Sequence, residues 1–308
     1  MKKSDVKLIR DLCKVFAPSG DESLMKAFVL DYVQSNQENW KVVPEVTHGV
    51  GFQDCILLKF GKPRTAIFAH MDSIGFTVRY QDQLVPIGGP DTKNGYDLIG
   101  HDSLGEIACT LKVDSENRLS YQFGRAIDRG TNLVFNQDFK ETNDSIQSCY
   151  LDNRLGVFNA LKVAETLNDG LIVFSTREEH GGGSVPFLAR YMYEQLGVQQ
   201  ALISDITWVS DGVFPGEGVA ISMRDSGLPR REFLEKVIEL AEQSGTKYQL
   251  EVEGSAGSDA IELQASPYPI DWCFIGAAEE NMHSPNEMVQ KEDVESMIRM
   301  YEFLMKEL

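Results

Sequence analysis

Apolar positions recur at helical spacing over residues 4 to 16 and again over 22 to 34. The second run opens with Ser19-Gly20-Asp21-Glu22, where Asp21 or Ser19 is placed to cap it. Shorter apolar or β-branched runs follow at Val42 to Val46, Cys55 to Phe60 and Thr65 to Ala69, broken by Gly51 and by Gly61-Lys62-Pro63. Their lengths fit neighbouring strands of one sheet. From about residue 74 to 148 the texture changes to short strand candidates at Phe76 to Tyr80, Ala108 to Val113, Ser120 to Phe123 and Leu133 to Phe135. Turn-rich pieces such as Gly88-Gly89-Pro90-Asp91 separate them, as in an all-β insert.

After Leu151 the pattern alternates. Helical spacing at 153 to 167, 184 to 194, 231 to 243, 257 to 263 and 291 to 306 is interleaved with apolar strand runs at Leu171 to Ser175, Ala201 to Ser204, Gly218 to Met223, Tyr248 to Val252 and Asp271 to Ile275. Such alternation predicts an α/β fold, a mixed sheet covered by helices on both faces. The expected division is a main domain over 1–72 plus 149–308 and an inserted β domain over 73–148.

Composition narrows the functional classes. The 308 residues are 42% hydrophobic, enough for a sizeable core. The 47 acidic against 29 basic residues give a formal charge of -18, a field that disfavours nucleic acid and anionic membrane partners. Cys13, Cys55, Cys109, Cys149 and Cys273 are scattered, without the close pairs of a zinc knuckle or redox motif, and are expected as reduced thiols. No run reaches the roughly 18 apolar residues of a membrane span. The opening segment interleaves Asp5, Lys7, Arg10, Asp11 and Lys14 with its apolar residues, so a cytoplasmic protein is expected.

The candidate chemistry lies at element boundaries, where open α/β sheets build sites. His70 ends the apolar run Ala66 to Ala69, and Asp72 can fold back to its imidazole as a metal-bound histidine's carboxylate partner does. An ordinary half-buried histidine fits the same residues. Asp152 stands where a helix begins, as a simple N-cap or as a carboxylate able to bridge two cations. Glu178-Glu179 closes the apolar run Leu171 to Ser175, a costly place for two carboxylates unless they are paired, protonated or metal-bound. Asp205 ends the run Ala201 to Ser204, and His283 sits in the loop after the run Asp271 to Ile275. Together these five boundaries supply about the number of N and O donors that two zinc ions need. His48, His101 and His180 fall outside this set, and the glycines of 88–89 and 181–183 read as turns.

At these residues the sequence resembles the glutamyl aminopeptidases and tetrahedral aminopeptidases, a branch of the di-zinc exopeptidases. The matching pieces are Ala17-Pro18-Ser19-Gly20-Asp21-Glu22, His70-Met71-Asp72-Ser73-Ile74-Gly75-Phe76, Pro86-Ile87-Gly88-Gly89 and Leu151-Asp152-Asn153-Arg154-Leu155-Gly156. Further matches are Thr176-Arg177-Glu178-Glu179, Ser204-Asp205-Ile206-Thr207, Gly257-Ser258-Asp259-Ala260 and His283-Ser284-Pro285-Asn286-Glu287, in family order over nearly the whole chain. The resemblance implies a phosphorylase/hydrolase-like fold. It also implies two divalent cations, zinc first with cobalt or manganese as alternatives: His70, Asp152 and Asp205 on one, Asp152, Glu179 and His283 on the other. Glu178 would be the general base and Asp72 would orient His70. The β insert would serve dimerisation, in a homo-oligomer of two to twelve subunits. The chain departs from the family pattern at His180-Gly181-Gly182-Gly183 and at Trp208-Val209.

The expected function is a metal-dependent aminopeptidase that removes the first residue of short peptides. A di-metal amidohydrolase acting on N-acyl amino acids or C-terminal peptide bonds uses the same ligand set, and a metal-stabilised binding or scaffold protein is the alternative from another class. An acidic N-terminal preference would require a basic group, for which Arg224 and Arg230 are candidates.

Overall fold

The computed structural model describes residues 1–255 and 257–308. The chain opens with helices α1 (Lys3–Cys13) and α2 (Ser23–Asn36), followed by strands β1 (Glu45–Gly49), β2 (Gln53–Phe60) and β3 (Thr65–His70). Six strands come next: β4 (Gly75–Val78), β5 (Leu84–Ile87), β6 (Asp97–Asp102), β7 (Gly105–Val113), β8 (Leu119–Gln122) and β9 (Asn132–Phe135). The short strands β10 (Lys140–Glu141) and β11 (Ser145–Ser148) lead to helix α3 (Leu151–Ala164) and strand β12 (Gly170–Ser175). The remainder is α4 (Val185–Leu196), β13 (Gln200–Trp208), β14 (Val219–Arg224), α5 (Arg231–Ser244), β15 (Tyr248–Val252), α6 (Asp259–Ala265), β16 (Asp271–Glu280), β17 (Glu287–Gln290) and α7 (Lys291–Glu307).

Eleven strands form one mixed sheet whose main path runs β1-β2-β12-β3-β13-β16-β17-β11-β10, with β14 and β15 off the side of β16. Its centre is parallel: β12 pairs with β3, β3 with β13 and β13 with β16, so these strands all end on the same side. Buried on both faces, β3 shows why its sequence is a continuous apolar run rather than an alternating one. Ile67 and Ala69 pack into the layer containing Leu12, Leu155, Met300 and Tyr301, while Ala66 and Phe68 join Leu188, Met192 and Leu263 on the other face. Helices therefore cover both faces, as the alternation predicts. Truncating Phe68 to Ala would cost about 3–5 kcal/mol through lost burial and a cavity.

The second sheet has six strands in the order β5-β4-β9-β6-β7-β8 around its own core of Phe76, Leu98, Leu111, Leu133 and Phe135. A bridge between Gln83 and Ser120 brings its two edges together, giving a barrel-like form. The segment expected as one insert over 73–148 contributes to both sheets. Strands β4 to β9 make the small one, whereas β11 pairs with β17 of the large sheet through Ser145↔Gln290 to Ser148↔Glu287, and β10 pairs with β11. Among the described residues no helix is long and apolar enough to cross a membrane.

The capping expected of Ser19 or Asp21 is absent: α2 starts after Glu22 with no side-chain cap. Ser19 Oγ instead donates to Asp72 Oδ2 at 2.5 Å, so its hydroxyl is engaged elsewhere.

Candidate metal centre

The C-terminal ends of the central parallel strands carry the polar residues. His70 ends β3, Glu178 and Glu179 follow β12, Asp205 lies within β13, and His283 follows β16. Asp152 stands at the start of α3 with extended angles, φ −79° and ψ 112°, and among the described residues no helix amide donates to its carboxylate, so it does not cap the helix. Asn153 performs the local bonding: its Oδ1 accepts from the Gly156 amide at 2.8 Å, and its Nδ2 donates to Ser204 O at 2.9 Å. That pair of bonds ties the Asp152 segment to β13, next to Asp205.

These side chains converge. His70 Nε2 lies 3.3 Å from Asp152 Oδ1, 3.6 Å from Asp205 Oδ1 and 3.8 Å from Glu178 Oε2. His283 Nε2 lies 3.3 Å from Asp152 Oδ2 and 3.2 Å from Glu179 Oε2. The donors fall into two groups that could each hold a cation, His70 with Asp152 and Asp205, and Asp152 with Glu179 and His283. Asp152 belongs to both, one oxygen facing each imidazole. Ligand atoms bound to zinc at ~2.0–2.2 Å stand ~3.3–3.6 Å apart around a tetrahedron, the spacing found between these donors.

Asp72, fully buried, organises the cluster from behind. Its Oδ1 accepts from the Glu178 amide and its Oδ2 from the Glu179 amide, both at 3.1 Å. His70 Nδ1 is 3.4 Å from Asp72 Oδ1, close enough for electrostatic attraction but without hydrogen-bond alignment. Burial alone would raise the Asp72 carboxyl, yet His70, Ser19 and the Glu178 amide outweigh it and hold it below its usual value. Arg154 is fully buried and donates through Nη1 to Met71 O at 2.5 Å and Asp72 O at 3.1 Å, clamping the backbone just after His70.

His283 is oriented by the small sheet. A carbonyl can only accept, so its Nδ1–H donates to Gly89 O at 3.1 Å, which turns Nε2 toward Asp152 and Glu179. The Gly88 amide donates to His180 Nδ1 at 3.0 Å. Gly88 has φ +68°, and a Cβ there would come within 2.9 Å of Glu179 O, so glycine is required by backbone conformation and by close approach. The piece 86–89 is thus more than a turn: it fixes two histidines. Among the described residues His48 and His101 belong to neither donor group.

The electrostatics favour cations. Asp152, Glu178, Glu179 and Asp205 converge on two imidazoles, and no Lys or Arg lies within 4.0 Å of these carboxylates among the described residues. Burial, reinforced by neighbouring carboxylates, lifts Glu179 to about 8 and Asp205 to about 6, and raises Glu178 well above its usual value. Burial alone would lower the histidines, but the carboxylates overcome it, lifting His283 to about 10 and His70 well above the ordinary range. A buried cluster that draws protons onto both its carboxylates and its imidazoles is short of positive charge, which divalent cations supply in concentrated form. Among the described residues His70 Nδ1, Asp152 Oδ1 and Glu179 Oε1 are buried without a hydrogen-bond partner, a further sign that protein donors alone do not complete the site.

Solved structures share this architecture. An aminopeptidase from the archaeon Desulfurococcus kamchatkensis is 22% identical, with 99% of this chain and 95% of that one covered at a TM-score of 0.85. A TET aminopeptidase from a marine-sediment Thaumarchaeota archaeon is 18% identical over 99% and 98% of the two chains, with a TM-score of 0.87. A TET peptidase of Pyrococcus horikoshii, described as assembling into a tetrahedron or a large octahedral shell, is 20% identical over 99% and 100%, with a TM-score of 0.84. At these identities the likeness establishes the fold. The family model for M42 glutamyl aminopeptidase matches residues 110–300, which include Asp152, Glu178, Glu179, Asp205 and His283. The chain belongs to the M42 glutamyl aminopeptidase family and is a peptidase hydrolase.

Proposed function

We propose that this protein is a metal-dependent aminopeptidase that releases the N-terminal residue of short peptides. The observation that carries the reading is Asp152, whose two oxygens each stand 3.3 Å from a different imidazole, as a carboxylate shared by two cations requires. His70, Asp152 and Asp205 would hold one ion and Asp152, Glu179 and His283 the other, with zinc first and cobalt or manganese as alternatives. When bound, the cations supply Lewis acidity toward the scissile carbonyl and make a water a better nucleophile near neutral pH.

The protein's own groups do the remaining work. Glu178 lines the cavity and is raised by burial, so its carboxylate can take a proton from the attacking water and pass it to the leaving amine. Asp72 holds the Glu178 and Glu179 amides and faces His70, acting as a positioning residue. By analogy with the Pyrococcus peptidase, the chain would assemble as a homo-oligomer, with the small sheet in the contact. A cytoplasmic location fits the reading.

The test is to strip the protein with a chelator, restore zinc, cobalt or manganese separately, and measure hydrolysis of free-amine aminoacyl substrates beside their N-acetylated forms. Metal-dependent cleavage confined to the free amines supports the proposal. Cleavage confined to the blocked forms assigns a deacylase instead, and no cleavage of either leaves a metal-stabilised scaffold.

A further inference from the structure

The cavity in front of the metal centre, about 280 Å³, extends past the ligands to Trp208, Asp225, Glu251 and Phe274. Asp225 follows β14 and Glu251 lies in β15, and each is only 3% exposed. Both carboxylates are held by neutral donors. Thr207 Oγ1 donates to Glu251 Oε1, and the Gly227 amide donates to Asp225 Oδ1 at 2.6 Å, with Ser258 Oγ 3.4 Å from Oδ2. Among the described residues neither has a Lys or Arg within 4.0 Å, although surface carboxylates such as Asp271 do. Arg224 turns its Nε onto the Asp225 carbonyl oxygen at 3.0 Å and does not line the cavity. Arg230 pairs with Asp271 and Glu232 at the start of β16, the opposite end of the sheet. The basic group that an acidic substrate side chain would need is therefore absent from the described cavity wall.

A buried carboxylate without a cation is costly, and a pair of them in one cavity wall more so. A ligand bringing a positive charge removes that cost, and a ligand bringing a negative charge adds to it. Trp208 and Phe274 supply apolar surface for an alkyl stem, and an aromatic face also attracts a cation. We infer that this cavity is the pocket for the side chain of the residue being released, and that Asp225 and Glu251 select a cationic one, lysine or arginine. The inference rests on the aminopeptidase reading for its chemistry, but its electrostatic basis can be tested by binding alone.

The experiment compares kcat/KM for lysyl, arginyl, leucyl and glutamyl substrates in the wild type, Asp225→Asn and Glu251→Gln. In parallel, calorimetry follows binding of L-lysinamide and L-leucinamide to the same three proteins carrying Glu178→Gln, so that the amides are bound without being hydrolysed. The wild type is expected to favour lysyl or arginyl over leucyl and glutamyl substrates, and each variant to lower the lysyl-to-leucyl ratio at least tenfold. Lysinamide binding should weaken in the same proportion relative to leucinamide. A wild type that prefers glutamyl or leucyl substrates overturns the inference. So does an equal loss for lysyl and leucyl substrates, which would assign the carboxylates to the α-amine common to both. Should no substrate be cleaved, the proposed function fails, and the lysinamide-to-leucinamide binding ratio decides the pocket by itself: a ratio unchanged in both variants overturns it.

Discussion

Ser19 Oγ donates to Asp72 Oδ2 at 2.5 Å, joining two residues 53 positions apart. Asp72 in turn accepts from the amides of Glu178 and Glu179 and faces His70. A serine between two helices thereby helps to fix a carboxylate that orients three residues of the candidate centre. Partners of this kind typically change metal affinity 10–100-fold when removed. Ser19→Ala is expected to weaken zinc binding by about tenfold with little change in the melting temperature. Unchanged zinc affinity would show that the hydroxyl is structurally dispensable.

Glu178 and Glu179 are neighbours in sequence, and the proposed mechanism gives them different tasks. Glu179 Oε2 faces His283, whereas Glu178 reaches the cavity and comes no nearer to His70 than 3.8 Å. Glu178→Gln should keep both cations and the fold while lowering kcat about 10²- to 10⁴-fold, the usual yield of a positioned acid-base group. Zinc content measured on the same samples as the turnover checks this, and full activity in the variant would remove Glu178 from the proton-transfer role.

Gly88 carries the small sheet's contact to the centre. A methyl group there would meet Glu179 O and Ile74 Cγ2, both at 2.9 Å, and alanine at φ +68° is strained besides. Gly88→Ala should cost roughly 1–3 kcal/mol of stability and displace Glu179 and His180 together. Urea unfolding and metal titration check both parts, and a variant unaltered in either would show that the close approach relaxes freely.

Glu22 gives a pH dependence. Burial lifts its carboxyl from 4.5 to about 7, against the Gly20 amide that favours the ionised form. A raised acid contributes stability that is fully present below the unfolded value and is lost as pH rises through about 7. Glu22→Gln removes this dependence, so the variant should match the wild type near pH 5 and exceed it above pH 7 by ~1–2 kcal/mol. Denaturant unfolding at the two pH values is the check; parallel pH profiles would contradict it.

The central strands were legible because their residues must be apolar on both faces, and the polar residue that ends each run then stands out. His70 after Ala66 to Ala69 and Glu178-Glu179 after Leu171 to Ser175 are such cases. Strand β5 was hidden by Pro86, which suits a strand at the sheet's edge beside β4. Strand β17 begins with Glu287, a carboxylate buried completely, where patterning predicts an apolar residue. The supporting contacts of Ser19, Asn153 and Arg154 were not readable at all. A fully buried arginine bonded to the carbonyls of Met71 and Asp72 has no local signature, since its partners lie more than 80 positions away.

The most direct test of the account is the amount of zinc bound per chain, measured by elemental analysis after stripping and reloading, in the wild type and in Asp152→Asn. A carboxylate shared between two ions predicts two equivalents in the wild type and loss of tight binding at both positions in the variant. One equivalent in the wild type, or a variant that still binds two, would contradict the shared carboxylate on which the proposed mechanism stands.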